Sequence, residues 1–223
     1  QAIGQSALRG NTTGCYNTAI GLDALWTSLS GDHNFAAGQN ALYSNWGGAY
    51  NTAIGRCALY SNTTGSRNVA IGSDYGALKC NTTGGCNIAI GSSALYKNTT
   101  GCLNTALGYS ALENNTTGCL NTAIGYRALK SNTTGINNNA IGCTALGCNT
   151  TGTNNNALGI YALKANIAGH NNNALGYYTL YSNTSGSHNQ GIGGEALGLN
   201  TTGSCNTALG QMALYENTTG CYN

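Results

Sequence analysis

A unit of 17 residues recurs from one end of the 223-residue chain to the other. The glycine of an Ala-Ile-Gly box, here called the marker glycine, returns every 17 residues apart from one interval of 19 between Gly72 and Gly91. The unit reads N-T-T-G-x-x-N-T-A-I-G-x-x-A-L-x-x. No other segment interrupts the repeat, so we expect residues 1–223 to form a single repeat domain without a linker. The two additional residues fall within 73–76, where we predict a bulged loop.

A unit of this length is too short for the helix pairs of common helical repeats, which need more than about 30 residues. The Ala-Ile and Ala-Leu pairs are short apolar runs bounded by Gly and Asn, which is typical of short strands. The sequence therefore predicts an all-β fold, a parallel β-solenoid or β-roll of about 13 turns with two short strands per turn. The two invariant glycines of each unit are expected to have positive φ.

Two interpretations of the Ala-Ile pair remain open at the sequence level. Neighbouring residues of a strand face opposite sides, so only one of the pair can point into the turn. We expect the larger residue to fill the interior. The small Ala then faces either a closely approaching second chain or simply fits a flat, narrow turn.

An Asn stands four residues before each marker position, and stacked turns place such residues about 4.8 Å apart. Identical Asn side chains can then hydrogen bond from turn to turn, as in cross-β stacks. The absence of Pro fits such a stack, because Pro would remove a backbone donor. The predicted Asn ladder comprises Asn17, Asn34, Asn51, Asn68, Asn87, Asn104, Asn121, Asn138, Asn155, Asn172, Asn189, Asn206 and Asn223.

The composition excludes several classes of function. Charged residues make up 6% of the chain, the net charge is +2, and no basic stripe suited to nucleic acid is present. No apolar run reaches about 18 residues, so we predict no membrane-spanning helix. The six carboxylates are spread along the chain and no nucleotide-binding motif occurs, so we predict no enzyme, no catalytic residue and no cofactor. No Cys-x2-Cys pair is accompanied by His, which argues against a metal site.

Ten Cys residues favour an oxidising compartment. Cys102 and Cys119 occupy the same repeat position in successive units, within the range of a disulfide bond. Cys205 and Cys221 form a second candidate pair that is offset by one residue. If copies stack head to tail, Cys221 would lie one turn from Cys15 of the next copy.

The N-T-T and N-T-S segments match the acceptor pattern for N-glycosylation. The same residues are good turn formers, so a purely structural role is an equally simple interpretation. The candidate acceptors are Asn11, Asn62, Asn81, Asn98, Asn115, Asn132, Asn149, Asn183, Asn200 and Asn217.

The two ends of the chain are in phase, because Asn223 is followed in repeat register by Gln1. Copies stacked head to tail would continue the solenoid without a phase break. Such a contact does not close on itself and therefore builds filaments. A longer protein made of the same repeats would also form a fibre.

The boxes Asn121-Thr122-Ala123-Ile124-Gly125 and Asn104-Thr105-Ala106-Leu107-Gly108 resemble the head repeats of trimeric autotransporter adhesins. They are similar to repeats of phage tail-fibre proteins that carry N-T-T-G between such boxes. The resemblance covers the whole chain, although the adhesin repeat is shorter. It implies a left-handed parallel β-roll, often trimeric, that is displayed outside the cell.

Two classes of function follow from these features. The first is a structural subunit of an extracellular fibre or filament, built by end-to-end stacking of β-solenoids at a cell or virion surface. The alternative is an adhesin-like or tail-fibre-like fibre that binds surface glycans or a host, with Tyr rings as stacking platforms. The expected partners are copies of the chain, head to tail or as trimers, and in the alternative also glycans. The Tyr columns concerned contain Tyr43, Tyr60, Tyr96, Tyr181 and Tyr215.

Overall fold

The computed structural model describes all residues from 1 to 223, and each turn contains one short strand. Two compact units divide the chain, Gln1–Thr117 and Gly118–Asn223. The first unit contains β1 (Ala2–Ile3), β2 (Thr18–Ile20), β3 (Phe35–Ala37), β4 (Thr52–Ile54), β5 (Val69–Ile71), β6 (Ile88–Ile90) and β7 (Thr105–Leu107). The second contains β8 (Thr122–Ile124), β9 (Asn139–Ile141), β10 (Asn156–Leu158), β11 (Asn173–Leu175), β12 (Gln190–Ile192) and β13 (Thr207–Leu209).

Within each unit the strands pair in parallel and in chain order. Equivalent residues of successive repeats lie opposite each other, as Ala53 does with Ala70 in the first unit and Ala157 with Ala174 in the second. The all-β parallel β-solenoid is therefore confirmed. The extent of the domain, residues 1–223, stays a prediction.

The prediction of two strands per turn is wrong, because the Ala-Leu segment is not extended. Its residues alternate into the left-handed region, with φ of 54° at Asp23 and 50° at Leu25, and the same positions repeat this in later turns. Backbone hydrogen bonds still join the turns here, and the Leu25 N–H donates to the Ala41 carbonyl at 3.0 Å. This segment therefore stacks from turn to turn without forming a strand.

The strand presents Ala to the interior and Ile or Leu to the outside. Ala53 of β4 is fully buried, whereas Ile54 is 37% exposed. The expectation that the larger residue fills the interior is wrong, because Ala58 and Leu59 of the facing segment already occupy the space. A methyl group is what the remaining width accepts, so the narrow-turn interpretation of the strand Ala is the correct one.

Two different constraints select the two glycines of each unit. The marker glycine has positive φ at every turn except that of Gly72, as predicted, with 136° at Gly142. The glycine seven residues before it, here called the corner glycine, does not have positive φ, so that part of the prediction is wrong. A Cβ on Gly14 would lie 2.5 Å from Asn11 Oδ1 and 2.5 Å from the Gly31 carbonyl oxygen. The corner glycine is therefore required by space and not by φ.

The predicted bulge at residues 73–76 is confirmed. Tyr75 is 63% exposed, while Ala77 and Leu78 return to the buried positions of their repeat. The register of β5 with β6 is unaffected, with Ala70 opposite Ala89. Two residues are thus added on the outer side of one turn without disturbing the stack.

One pair of substitutions in the core is compensatory. In β12, Gly191 replaces the usual strand Ala, and in the preceding turn Thr179 replaces the Ala before the buried Leu180. A Cβ on Gly191 would lie 2.7 Å from the Thr179 Cγ2 methyl group, so Thr179 fills the space that Gly191 leaves. The Thr179 hydroxyl donates a hydrogen bond to the Gly193 carbonyl at 2.6 Å, which satisfies its polar atom in the buried site.

We predict that the two positions are energetically coupled. Gly191→Ala should lower the free energy of unfolding by about 2 kcal/mol through overpacking, and Thr179→Ala by about 2 kcal/mol through a cavity and a lost hydrogen bond. The double variant restores the Ala pair of other turns and should lie within about 1 kcal/mol of the parent. Urea denaturation followed by circular dichroism measures all four proteins. Additive losses in the double variant would contradict the coupling.

Candidate functional site

The predicted Asn ladder lies inside the turns, where it forms the first Asn column. Asn155 is fully buried, and its Oδ1 accepts hydrogen bonds from the backbone N–H (3.0 Å) and the Nδ2 (3.1 Å) of Asn172. Its own Nδ2 donates to the Gly169 carbonyl of the next turn at 2.8 Å. The structure brings Asn17, Asn34, Asn51, Asn68, Asn87 and Asn104 together in the first unit, and Asn121, Asn138, Asn155, Asn172, Asn189, Asn206 and Asn223 in the second.

A second Asn column runs parallel to the first, ten residues before the marker glycine. Asn149 Nδ2 donates to Asn132 Oδ1 at 2.9 Å and to the Gly152 carbonyl at 3.1 Å. The same Gly152 carbonyl also accepts from Asn138 Nδ2 of the first column at 2.8 Å. Each corner glycine carbonyl thus joins the two columns. Sequence reasoning missed this second ladder, although the recurrence of Asn at that repeat position was its signal.

The candidate glycosylation acceptors belong to the second Asn column. A glycan would replace an Nδ2 hydrogen that the ladder uses, and the folded chain leaves these amides out of contact with solvent. The structure therefore argues against glycans on the folded chain at the buried positions. Asn62, Asn81, Asn98, Asn115, Asn132, Asn149, Asn183 and Asn200 have no exposed surface, and Asn11 and Asn217 are partly buried.

The candidate disulfide residues lie at the outer corner of the turns. Cys221 Sγ accepts the Ser204 N–H at 3.2 Å, so Cys221 stacks on Ser204 and not on its neighbour Cys205. Cys15, Cys205 and Cys221 form no disulfide bond in the structure. The pairing of Cys102 with Cys119 and the link from Cys221 to Cys15 of another copy stay predictions.

The outer face of the strands is apolar along one column and polar along the next. In the second unit Leu158 and Leu175 are 39% and 49% exposed. Beside them Asn156 Nδ2 donates to Asn173 Oδ1 at 2.8 Å, which extends an amide ladder on the surface. The face therefore carries an exposed aliphatic stripe of a kind that packs against another apolar surface.

Aromatic side chains stack along two outer columns of the first unit. In the column five residues after the marker glycine, the Tyr43 ring lies 5.0 Å from Trp26 and 4.9 Å from Tyr60, nearly parallel to both. In the column five residues before it, the His33 ring lies 4.8 Å from Tyr16 and 4.9 Å from Tyr50. Of the Tyr residues named from the sequence, Tyr43 and Tyr60 thus form a continuous stack.

The other three named Tyr residues occupy different surroundings. Lys79 Nζ lies 5.7 Å from the centre of the Tyr96 ring. Lys164 Nζ lies 5.1 Å from the centre of the Tyr181 ring and donates a hydrogen bond to its hydroxyl at 3.1 Å. This hydrogen bond raises the pKa of Lys164 and keeps it charged. Tyr215 lines a groove that it shares with Tyr181.

Neither the site chemistry nor known proteins identify a function directly. No three His, Cys, Asp or Glu residues lie close enough together to hold a metal ion. None of the chain folds into a helix with the length and apolar character that a membrane crossing requires. Comparison of the chain with protein families, curated proteins and solved structures gave no match. The functional argument therefore depends on the ladders and the surfaces of the turns.

We predict that the buried ladder carries much more stability than the surface ladder. Asn155→Ala leaves the buried Asn172 N–H and Asn138 Oδ1 without partners and should lower the free energy of unfolding by about 3 kcal/mol. Asn156→Ala, one residue away, removes a surface amide and should cost about 0.5 kcal/mol. Urea denaturation of both variants provides the comparison. Equal losses would show that the buried column has no special weight.

Proposed function

We propose that this chain is a structural subunit of an extracellular fibre, in which the β-ladders of one copy continue into the next by end-to-end stacking. The observation that carries the proposal is the complementarity of the two open edges of the solenoid. Unpaired backbone groups on a sheet edge are a template for pairing with another chain. Low net charge adds little repulsion between copies.

The edge formed by the last turn presents donors. The backbone N–H groups of Leu197 and Leu199 donate to carbonyls of the following turn at 3.0 Å. The equivalent N–H groups of Leu214, Glu216 and Thr218 have no acceptor. These three donors point along the direction in which a further turn would lie.

The edge formed by the first turn presents the matching acceptors. The Ala24 carbonyl accepts the Leu8 N–H at 3.0 Å, as equivalent carbonyls do in later turns. The carbonyls of Ala7, Arg9 and Thr12 accept nothing. They occupy the repeat positions that pair with Leu214, Glu216 and Thr218, so a second copy satisfies both edges at once.

Apolar surface adds to this complementarity. Leu209 of β13 is 77% exposed and Ile3 of β1 is 62% exposed, whereas Leu158 in the same column is 39% exposed. Stacking would cover the additional area at about 25 cal/mol per Å². The aliphatic stripe on the outer strand face supplies a further surface for lateral packing of copies, including trimers.

We predict that Glu216→Pro abolishes filaments without unfolding the chain. Pro removes the unpaired Glu216 N–H and blocks the edge. Negative-stain electron microscopy should show long uniform filaments for the parent chain and short or dispersed particles for this variant, with unchanged circular dichroism.

Two control variants interpret that result. Glu216→Gln keeps the N–H and should still form filaments. Leu199→Pro removes an N–H that is paired within the chain and should lower stability as well as assembly. Discrete trimers of the parent chain would contradict end-to-end stacking and favour lateral, adhesin-like assembly.

A second candidate function is a fibre that also binds surface glycans. The observation that favours it is the exposed stack of Tyr16, His33 and Tyr50 in the first unit, in which Tyr16 is 80% and Tyr50 57% exposed. Rows of flat rings with polar edges are suited to stacking against sugar faces.

For this second function we expect hits of the full chain on a glycan array, and their loss in the double variant Tyr16→Ala, Tyr50→Ala. Tyr75→Ala provides the control, because Tyr75 is equally exposed at 63% and lies on the bulge outside the stack. An array without hits would leave the purely structural role.

A further inference from the structure

A groove of about 330 Å³ opens on the surface of the second unit. Tyr177, Tyr178 and Tyr181 form one wall and Tyr215 forms the other, with Glu195 between them. The Tyr178 and Tyr181 rings lie 4.8 Å apart and nearly parallel, so this wall is a continuous aromatic surface. We call this feature the tyrosine groove. The fibre proposal does not use it.

Two glycines hollow out the turn between the walls. Gly198 interrupts the column of Tyr181 and Tyr215, whose repeats are two strand spacings, or about 9.6 Å, apart. Gly194 of the same turn has open space where a Cβ would stand, with its nearest neighbour, the Tyr177 carbonyl oxygen, 3.9 Å away. The groove therefore exists because this turn lacks the side chains that other turns carry there.

The Glu195 side chain is the charged group of the groove. It is half-buried and makes no hydrogen bond or ion pair in the structure. A partly desolvated carboxylate without a partner is unfavourable unless a ligand supplies the opposite charge. The faces of the surrounding Tyr rings carry negative electrostatic potential as well. Charge and aromatic lining thus favour a cation.

The same chain shows how cations occupy this column. Lys79 places its ammonium over the ring of Tyr96 in the next turn, and Lys164 does the same over Tyr181. Gly198 occupies the equivalent position before Tyr215, so Tyr215 receives no ammonium from the chain. A ligand cation at Gly198 would complete the pattern, with Glu195 beside it.

We propose that the tyrosine groove binds a small organic cation with a quaternary ammonium group. Methylated ammonium is recognised by aromatic faces and needs no hydrogen-bond acceptors. The groove is much larger than a bare metal ion and offers a single carboxylate, which is too few ligands for a hard cation. A neutral sugar would not require the charge of Glu195.

Choline chloride is the probe for this proposal, titrated into the full chain and followed by calorimetry and saturation-transfer NMR. We expect saturable binding with a Kd on the order of 1 mM, typical of a few such contacts. Glu195→Gln should weaken binding at least about tenfold. Gly198→Lys should abolish it, because the lysine ammonium then occupies the site as at Lys164. Glu216→Gln, which changes a carboxylate outside the groove, should bind choline like the parent chain.

Neutral probes and the variants separate the alternatives. The uncharged isostere 3,3-dimethylbutan-1-ol should bind at least about tenfold more weakly than choline, and equal binding would show an apolar groove without cation selectivity. Methyl glucoside that binds both the parent and Glu195→Gln would show a saccharide site instead. No saturable binding of choline up to about 50 mM, well beyond the expected Kd, would overturn the proposal.

The source of the ammonium group is tested separately. Co-sedimentation of the chain with phosphatidylcholine vesicles, lost in Gly198→Lys, would indicate a lipid headgroup. Binding of free choline without co-sedimentation would indicate a soluble ligand. Both measurements use folded single chains and stand independently of filament formation, so failure of the fibre proposal and failure of this one are distinguishable.

Discussion

The carbonyl of the corner glycine, which accepts one amide from each Asn column, is the contact on which each turn depends. A turn of 17 residues that contains a strand of only three residues leaves most of its buried backbone without sheet partners. The two columns supply these partners, as when the Gly152 carbonyl accepts from Asn138 and Asn149. Buried polar groups without partners would cost about 1–3 kcal/mol each. The amide columns thus replace the strands that the turn is too short to contain.

The packing of the core follows from the same narrow turn. Ala from the strand and Ala-Leu from the facing segment fill the interior, and Leu adopts a left-handed backbone conformation to do so. Side chains at the variable positions point outward, which lets Tyr, Lys, Glu and Gly change from turn to turn without touching the ladders. Functional variation is therefore confined to the outer columns, and the tyrosine groove lies in one of them.

Much of the fold could be predicted from the sequence, because a fixed period dictates which residues stack. The parallel register, the stacked Asn positions and the bulge at residues 73–76 all follow from counting. The side chosen by Ala53 and Ile54 could not be predicted, since alternation allows two phases and the width of the interior is a tertiary property. The corner glycine was misread because steric exclusion by Asn11 Oδ1 depends on a neighbouring column. The groove at Gly198 required knowing that Glu195 has no partner.

The Thr179–Gly191 pair has a consequence for how such a chain finds its register. Nearly equivalent turns invite slippage during folding, because a strand displaced by one whole repeat meets almost the same neighbours. A slipped pairing would place the Thr179 methyl group against an Ala methyl and leave a void at Gly191. The pair thus acts as an alignment key that distinguishes one turn from its near-copies.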